Sequence, residues 1–313
     1  MEYRSFGSTN TRVSALGMGC SLLGAFWQGR DDRTSEAAIR VALEKGITFF
    51  DTSDSYGRGQ SERILGRAVR SRRDKVTIAT KCGLVKTATA LSNALSAELS
   101  HRADTRQPDA LRSVARVVRT RRTYSPGYVI RAAESSLRRL GTSFLDVFLL
   151  HSPPVEALNH PDLVDAMEDL KSRGRIRTWG VSVGDEAAGL RALALPGIGC
   201  LEVELNLCHA DATSDLVPRA AEKGLAIIAR QPFGSGKAFR AAGASARADG
   251  SRLGQRQIVE AALQFALQTP GVTTVIAGMS RPQHVERNVQ AAGVQVPPTE
   301  IEWVRSRICG QGD

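Results

Sequence analysis

Long apolar runs are missing from this chain. No stretch reaches the roughly 18 uninterrupted apolar residues that a membrane-spanning helix needs, so no membrane partner is expected. Aromatic residues are scarce, at 5%, and no aromatic-rich RNA-binding motif or zinc-finger spacing occurs. Nucleic acid is therefore not expected as a partner, although the net charge is +10. Cysteine is also sparse. Cys20, Cys82, Cys200, Cys208 and Cys309 are odd in number and form no C-x-x-C pair. Neither a disulfide framework nor a bound metal is expected, and a reducing compartment fits. The N-terminus, MEYRSFGSTNTRVSALGMG, lacks the apolar run and cleavage pattern of a signal peptide, so the expected location is cytoplasmic. Finally, no G-x-G-x-x-G follows the first apolar run, which removes the usual sign of an open dinucleotide-binding sheet.

What is present is a rhythm. Short apolar runs at Ser14–Gly19, Thr48–Asp51, Val76–Thr80, Leu145–Leu150, Ile176–Val181, Cys200–Leu205, Leu225–Ala229 and Thr273–Ala277 read as eight strands. LDVFLL and LAIIA are almost continuously apolar, as suits parallel strands buried on both faces. Between them lie helical patterns at Ser35–Lys45, Ser61–Arg70, Pro126–Leu140, Leu163–Arg173, Ser214–Lys223 and Gln257–Gln268, and another starting near Pro282. Repeated strand–helix alternation over 313 residues predicts one (β/α)8 TIM barrel spanning 1–313; an open doubly wound sheet is the alternative. Ahead of it, Tyr3–Phe6 and Arg12–Val13 flank the turn GSTN and predict a β-hairpin.

One segment breaks the rhythm. Residues 84–123, after the third strand, hold eight basic residues against three acidic ones, a net of +5 and half the charge of the chain. Arg112, Arg116 and Arg119 fall at i, i+4, i+7, which would align them on one helix face. Two readings stand: a solvated helix covering a barrel edge, or a lid over the barrel mouth whose arginines meet an anionic substrate.

In (β/α)8 enzymes the active site lies at the C-terminal strand ends. Those ends supply Asp51 and Tyr56 (FFDTSDSYG), Lys81 (ATKCG) and His151 (FLLHSPP). Alone, each reads as a cap, packing or solvated residue; together on successive strands they form a chemical set. Carbonyl reduction needs a proton donor at the oxygen. A phenol is protonated at neutral pH, and a nearby ammonium eases its ionisation. An Asp would hold the Lys, and a neutral His would hydrogen-bond the carbonyl oxygen.

DTSDSYG, SERILG, TKCG, LLHSP and GVS, in this order and spacing, resemble the motifs of the aldo-keto reductase family, with IRxxGVS and IARxPFxSG closest to bacterial members. The likeness runs from Arg4 to about Asn288. It implies a barrel that binds NADPH, or NADH, in extended form, and a catalytic tetrad of Asp51, Tyr56, Lys81 and His151. It further implies that Ser182, Glu202 and Arg230 surround the nicotinamide, and that Gly19 and Cys20 also bind the cofactor. Gly234, Ser235 and Gly236 would close over the pyrophosphate, with Pro232 and Phe233 also binding the cofactor. Gly278, Ser280, Arg281, His284 and Asn288 would hold the adenosine end. The family usually has Asn, Gln and an aromatic where this chain has Val183, Glu202 and Arg230. Arg281 and Arg287 favour the 2′-phosphate of NADPH. Phe26 and Trp27 could wall the substrate pocket.

The expected function is reduction of an aldehyde or ketone to an alcohol, or the reverse reaction on a sugar or nucleotide sugar. The partner would be a small molecule, with an anionic one favoured by the basic insertion. The competing expectation is a cofactor-binding regulatory or sensor subunit with little turnover, and a remote third is a barrel of unrelated chemistry.

Overall fold

The computed structural model describes residues 1–23, 31–87, 119–209, 214–240 and 254–309. Twelve strands are described. β1 (Tyr3–Ser5) and β2 (Arg12–Ser14) form an antiparallel hairpin. β3 (Leu16–Gly19), β4 (Phe49–Asp51) and β5 (Thr77–Cys82) open the barrel. β6 (Leu84–Thr87) and β7 (Arg119–Arg122) pair antiparallel beside it. β8 (Leu145–His151), β9 (Ile176–Ser182), β10 (Cys200–Glu204), β11 (Ala226–Arg230) and β12 (Val272–Gly278) complete it. The order β10-β11-β12-β3-β4-β5-β8-β9 closes on itself with every neighbour parallel, which is the (β/α)8 barrel.

The helices are α1 (Asp32–Glu44), α2 (Gln60–Val69), α3 (Pro126–Leu140), α4 (Val155–Leu158), α5 (Pro161–Ser172), α6 (Glu186–Ala192), α7 (Leu216–Glu222), α8 (Gln255–Gln268), α9 (Pro282–Ala292) and α10 (Pro298–Cys309). Local chemistry sets their ends. Asp31 caps α1, accepting from Thr34 N at 2.7 Å, so the helix begins three residues before the expected Ser35. Proline opens α3, α5 and α9, where its missing N–H costs nothing. Gly141 ends α3 in the left-handed conformation at φ 65°. Three helices, α4, α6 and α10, have no counterpart in the expected pattern; α4 and α6 are too short for periodicity to register.

Strand parity divides the interior into two cores. Phe49, Ala79, Val147, Leu149, Ile228 and Ile276 fill the barrel, while Phe50, Ile78, Phe148 and Ile227 face the helices. Phe6 and Val13 of the hairpin plug the barrel's N-terminal end, Phe6 stacking on Phe49 at 5.8 Å between centroids. The predicted first strand, Ser14–Gly19, is thereby trimmed: Ser14 ends the hairpin strand β2, and Leu16–Gly19 forms the barrel strand.

Two expectations are corrected. Cys208 and Cys309, 101 residues apart in sequence, form a disulfide that ties α10 to the loop after β10. Cysteine spacing carries no information on a pair brought together only by the barrel's closure. Arg119 lies in β7, paired with Thr87, so the proposed helical face of Arg112, Arg116 and Arg119 does not reach it. Arg112 and Arg116, like Phe26 and Trp27, fall outside the described residues. No described helix is long and apolar enough to cross a membrane, and no metal-ligand cluster occurs among the described residues.

Candidate active site

The period of two that sends Phe49, Ala79, Val147 and Ile228 into the barrel carries on to the strand ends. Asp51 follows Phe49, Lys81 follows Ala79, His151 follows Leu149, Glu202 follows Cys200 and Arg230 follows Ile228, each two residues on. A charged layer therefore caps the apolar layers at the C-terminal mouth. Lys81 is fully buried and Asp51 and Glu202 are 2% exposed, an environment in which unpaired charge is costly.

Lys81 is the hub. Its Nζ donates to Asp51 Oδ1 and to the Thr52 carbonyl at 3.1 Å, and pairs with Glu202 Oε2 at 3.0 Å. Burial works against the ammonium, yet the two carboxylates hold its pKa well above the ordinary lysine value. Burial pushes the Asp51 carboxyl well above the usual carboxylate range, and the charge of Glu202 pushes the same way. Burial also acts to raise Glu202, but Lys81 and Arg230 outweigh it and hold Glu202 low. Of the two carboxyls, Glu202 is thus the firmly ionised partner.

Tyr56 sits in the turn after β4, with Lys81 Nζ 5.6 Å from its ring centroid and the His151 ring edge-on at 6.0 Å. Its phenol departs from the expectation. Burial pushes its pKa above the usual value, and the opposing pull of Lys81 is the weaker effect in the unliganded site. His151 Nδ1 lies 3.2 Å from Ser53 Oγ, and its carbonyl accepts from Tyr124 OH at 2.6 Å. The Tyr124 ring packs over Gly83, where φ is +119° and any Cβ would strike the ring, which accounts for the glycine of TKCG.

The expected cofactor residues fall around the same mouth. Gly19 ends β3, and the Cys20 N–H donates to the Asp51 carbonyl at 2.8 Å. Ser182 ends β9 and donates to Glu202 Oε1 at 3.0 Å. Arg230 binds the Val183 carbonyl at 3.0 Å and Glu204 Oε2 at 3.3 Å, with its Nε 3.9 Å from Glu202. Ser152 and Gln231, directly after β8 and β11, hold left-handed φ values of 51° and 58°, strain of the kind that collects at functional strand ends. Gly234, Ser235 and Gly236 form a tight turn, and Pro232, Phe233, Gly234, Asn206 and Lys237 line a cleft of about 50 Å³. Gly278 ends β12, Arg281 caps α9, and His284 and Asn288 lie on that helix. A larger concavity, about 490 Å³, lies outside the barrel between α2 and α3 beside Arg63, Arg67, Arg70 and Arg138; it holds none of these groups.

Sequence reasoning passes over Ser53, Asp54, Glu62, Tyr124, Tyr128 and Arg139. Ser53 and Asp54 lie inside DTSDSYG, so their position is legible though their partners are not. The others come from α2, α3 and the turn before α3, and only the packed barrel brings them to the mouth.

A closed parallel barrel with a buried Asp–Lys pair, a tyrosine and a histidine at its C-terminal mouth defines a (β/α)8 protein with an enzyme-like polar centre. The Aldo/keto reductase family model matches residues 15–307, and the chain belongs to that family, whose members are oxidoreductases acting on small-molecule carbonyl substrates. Among curated proteins, L-galactose dehydrogenase of Arabidopsis thaliana is 27% identical over 329 residues, covering 96% of this chain and 89% of that protein. Aldo-keto reductase AKR11C1 from Bacillus halodurans, in its holo form, shares the fold at TM-score 0.77 and 24% identity, over 98% of this chain and 96% of that one. An aldo/keto reductase from Klebsiella pneumoniae, solved in complex with NADP and acetate, does so at TM-score 0.69 and 22% identity, over 99% and 96%.

Proposed function

We propose that this protein is an NADPH-dependent reductase of an aldehyde or ketone, reversible as an alcohol or sugar dehydrogenase, with Tyr56 as the general acid. The observation that carries this reading is the buried Lys81–Asp51 pair set against Tyr56, with His151 edge-on to the same ring. Burial keeps the phenol protonated at neutral pH, as a proton donor requires. Lys81, locked as an ammonium, offsets the negative charge left on Tyr56 once its proton has gone to the substrate oxygen. Asp51 holds Lys81 in place, and His151 hydrogen-bonds the carbonyl oxygen and orients it.

The adenosine end has room for a ligand in its hydrogen-bonding. Ser280 Oγ, Arg287 Nε and both side-chain polar atoms of Asn288 are buried without a partner among the described residues, all at the loop after β12 and on α9. Buried polar atoms are rarely left so, and a phosphate-bearing adenosine on the α9 N-terminus supplies acceptors and donors for them. Arg281 and Arg287 would favour a 2′-phosphate, and the Klebsiella relative's complex with NADP supports the choice. Ser182 and Glu202 stand where the carboxamide would sit, with Glu202 as acceptor for its N–H. When bound, the nicotinamide supplies the hydride. Cytoplasmic location and an anionic substrate remain part of this reading.

Fluorescence titration with NADPH and NADH tests the cofactor, and steady-state reduction of a carbonyl panel tests the reaction. Tight NADPH-preferring binding is expected. Tyr56→Phe should cut turnover by about 10²- to 10⁴-fold with cofactor binding retained; near wild-type turnover in that variant would falsify the assignment.

A further inference from the structure

His151 is engaged at Nδ1 by a hydroxyl, and that hydroxyl is itself held by a carboxyl. Ser53 Oγ lies 3.2 Å from His151 Nδ1 and donates to Asp54 Oδ1 at 3.3 Å. Ser55 N–H donates to Ser53 Oγ at 3.2 Å, and Ser55 Oγ lies 3.0 Å from Ser53 Oγ. On its far side Asp54 Oδ2 accepts from Tyr128 OH at 3.3 Å, and the Asp54 backbone N–H is anchored on the Lys81 carbonyl at 3.2 Å. This set of contacts plays no part in the reaction as derived above.

A neutral imidazole has one N–H, and the bond at one ring nitrogen decides whether the other carries it. The hydroxyl of Ser53 has one proton to give. When Asp54 is ionised, its carboxylate is the stronger acceptor. Ser53 then donates to Asp54 and accepts from His151 Nδ1–H, which leaves Nε2 without a proton. When Asp54 is protonated, it donates to Ser53, Ser53 donates to Nδ1, and Nε2 carries the proton. Only the second arrangement gives a neutral His151 an Nε2–H to donate to a carbonyl oxygen.

We propose that Ser53 is a positioning residue that sets the tautomer of His151, and that Asp54, acting through Ser53, decides whether Nε2 carries a proton. The consequence for catalysis rests on the reductase reading; the tautomer switch does not. Asp54 is suited to the part. Burial and the nearby Glu62 charge raise its pKa to about 7 against the pull of Arg139, with Tyr128 and Ser53 bonding to the carboxylate. Buried Cys82 and the α2 and α3 side chains Glu62, Tyr128 and Arg139 surround it. On the His151 side the charged neighbours include Glu202 and, across Tyr56, Lys81. Ser55 competes for the Ser53 proton and has to be controlled for.

The test reads ¹⁵N shifts of histidine-labelled, substrate-free protein from about pH 6 to about pH 8.5, with His151→Gln assigning the signal among the five histidines. Wild type should pass from the Nε2–H to the Nδ1–H tautomer as pH rises, and Ser55→Ala should do the same. Asp54→Asn should stay Nε2–H throughout, because Tyr128 takes the amide oxygen and turns the amide N–H towards Ser53. Ser53→Ala should lose the response. In activity assays, reductive kcat/KM should fall about tenfold over this range in wild type and stay flat in Asp54→Asn. A tautomer that ignores pH, or that follows it equally in Ser53→Ala, overturns the proposal even if the protein reduces carbonyls. A tautomer that switches as described in a protein that reduces none leaves the proposal standing and removes the reductase reading.

Discussion

Two charged clusters flank the barrel mouth, each centred on two carboxyls and a cation, with Arg230 adding a second, more distant cation beside Glu202 in the first. In the first, Lys81 stands between Asp51 and Glu202. In the second, Arg139 reaches Glu62 from the outer helix layer, while the Asp54 carboxyl has, among the described residues, only the Tyr128 and Ser53 hydroxyls. The difference is one of reach. An ammonium is a compact point charge that can sit between two carboxyls from inside the barrel. The Arg139 guanidinium is committed to the fully buried Glu62, so Asp54 feels more of its neighbour's charge than of the cation's. In the inner cluster the cation is shared and holds Glu202 ionised, while burial raises the Asp51 pKa. The outer one contains a group that changes state near neutral pH.

Substitutions can break this contrast. The largest effect is expected from Lys81→Met, which leaves two carboxyls buried without their shared cation. Denaturant unfolding at pH 7 should show a loss of about 3–5 kcal/mol, with much of it recovered in acid as the carboxyls protonate. A loss below about 1 kcal/mol would show that Asp51 and Glu202 find water or another partner. Arg139→Met should cost less, about 2–3 kcal/mol by the same measurement, because Arg139 is partly solvated while Glu62 still has the Thr80 hydroxyl at 2.7 Å. Equal costs for the two variants would erase the distinction between the clusters.

Asp54→Asn should have the smallest effect on stability, and the opposite sign. Asp54 binds its proton more tightly in the folded chain, at about 7, than in the unfolded chain, near 4. Its contribution is fully favourable below about pH 4 and is lost as pH rises through about 7. The Asn variant should therefore match wild type near about pH 4 and exceed it by roughly 1–2 kcal/mol near about pH 8, after allowance for partial solvation. Melting curves at the two pH values decide it, and a variant less stable at the higher pH would place the Asp54 carboxylate in a favourable pairing instead.

Much of the inner cluster is legible in the sequence. Asp51, Lys81 and His151 each end an apolar strand, and the step of two from a core residue turns each inward. The partnership of Lys81 with Glu202 is not legible there, because β5 and β10 lie on different parts of the ring and meet only across the barrel's interior. The family resemblance puts Glu202 beside the carboxamide; in the folded chain it is already bonded to Lys81 and Ser182. The outer cluster is hidden more thoroughly. Glu62, Tyr128 and Arg139 sit in amphipathic helices where charged and aromatic residues are ordinary, and nothing in their spacing marks them as neighbours of Asp54. The Cys208–Cys309 pairing is hidden for the same reason.

By itself, the sequence determined the alternation of eight strands with helices, the hairpin ahead of them, and which side chains stand at the strand ends, because these depend on periodicity and on neighbours close in the chain. Tertiary structure decided which charges share a cation, which carboxyl is left to titrate, and which cysteines meet. Those depend on distance and burial between residues far apart in sequence, and both are properties of the closed barrel.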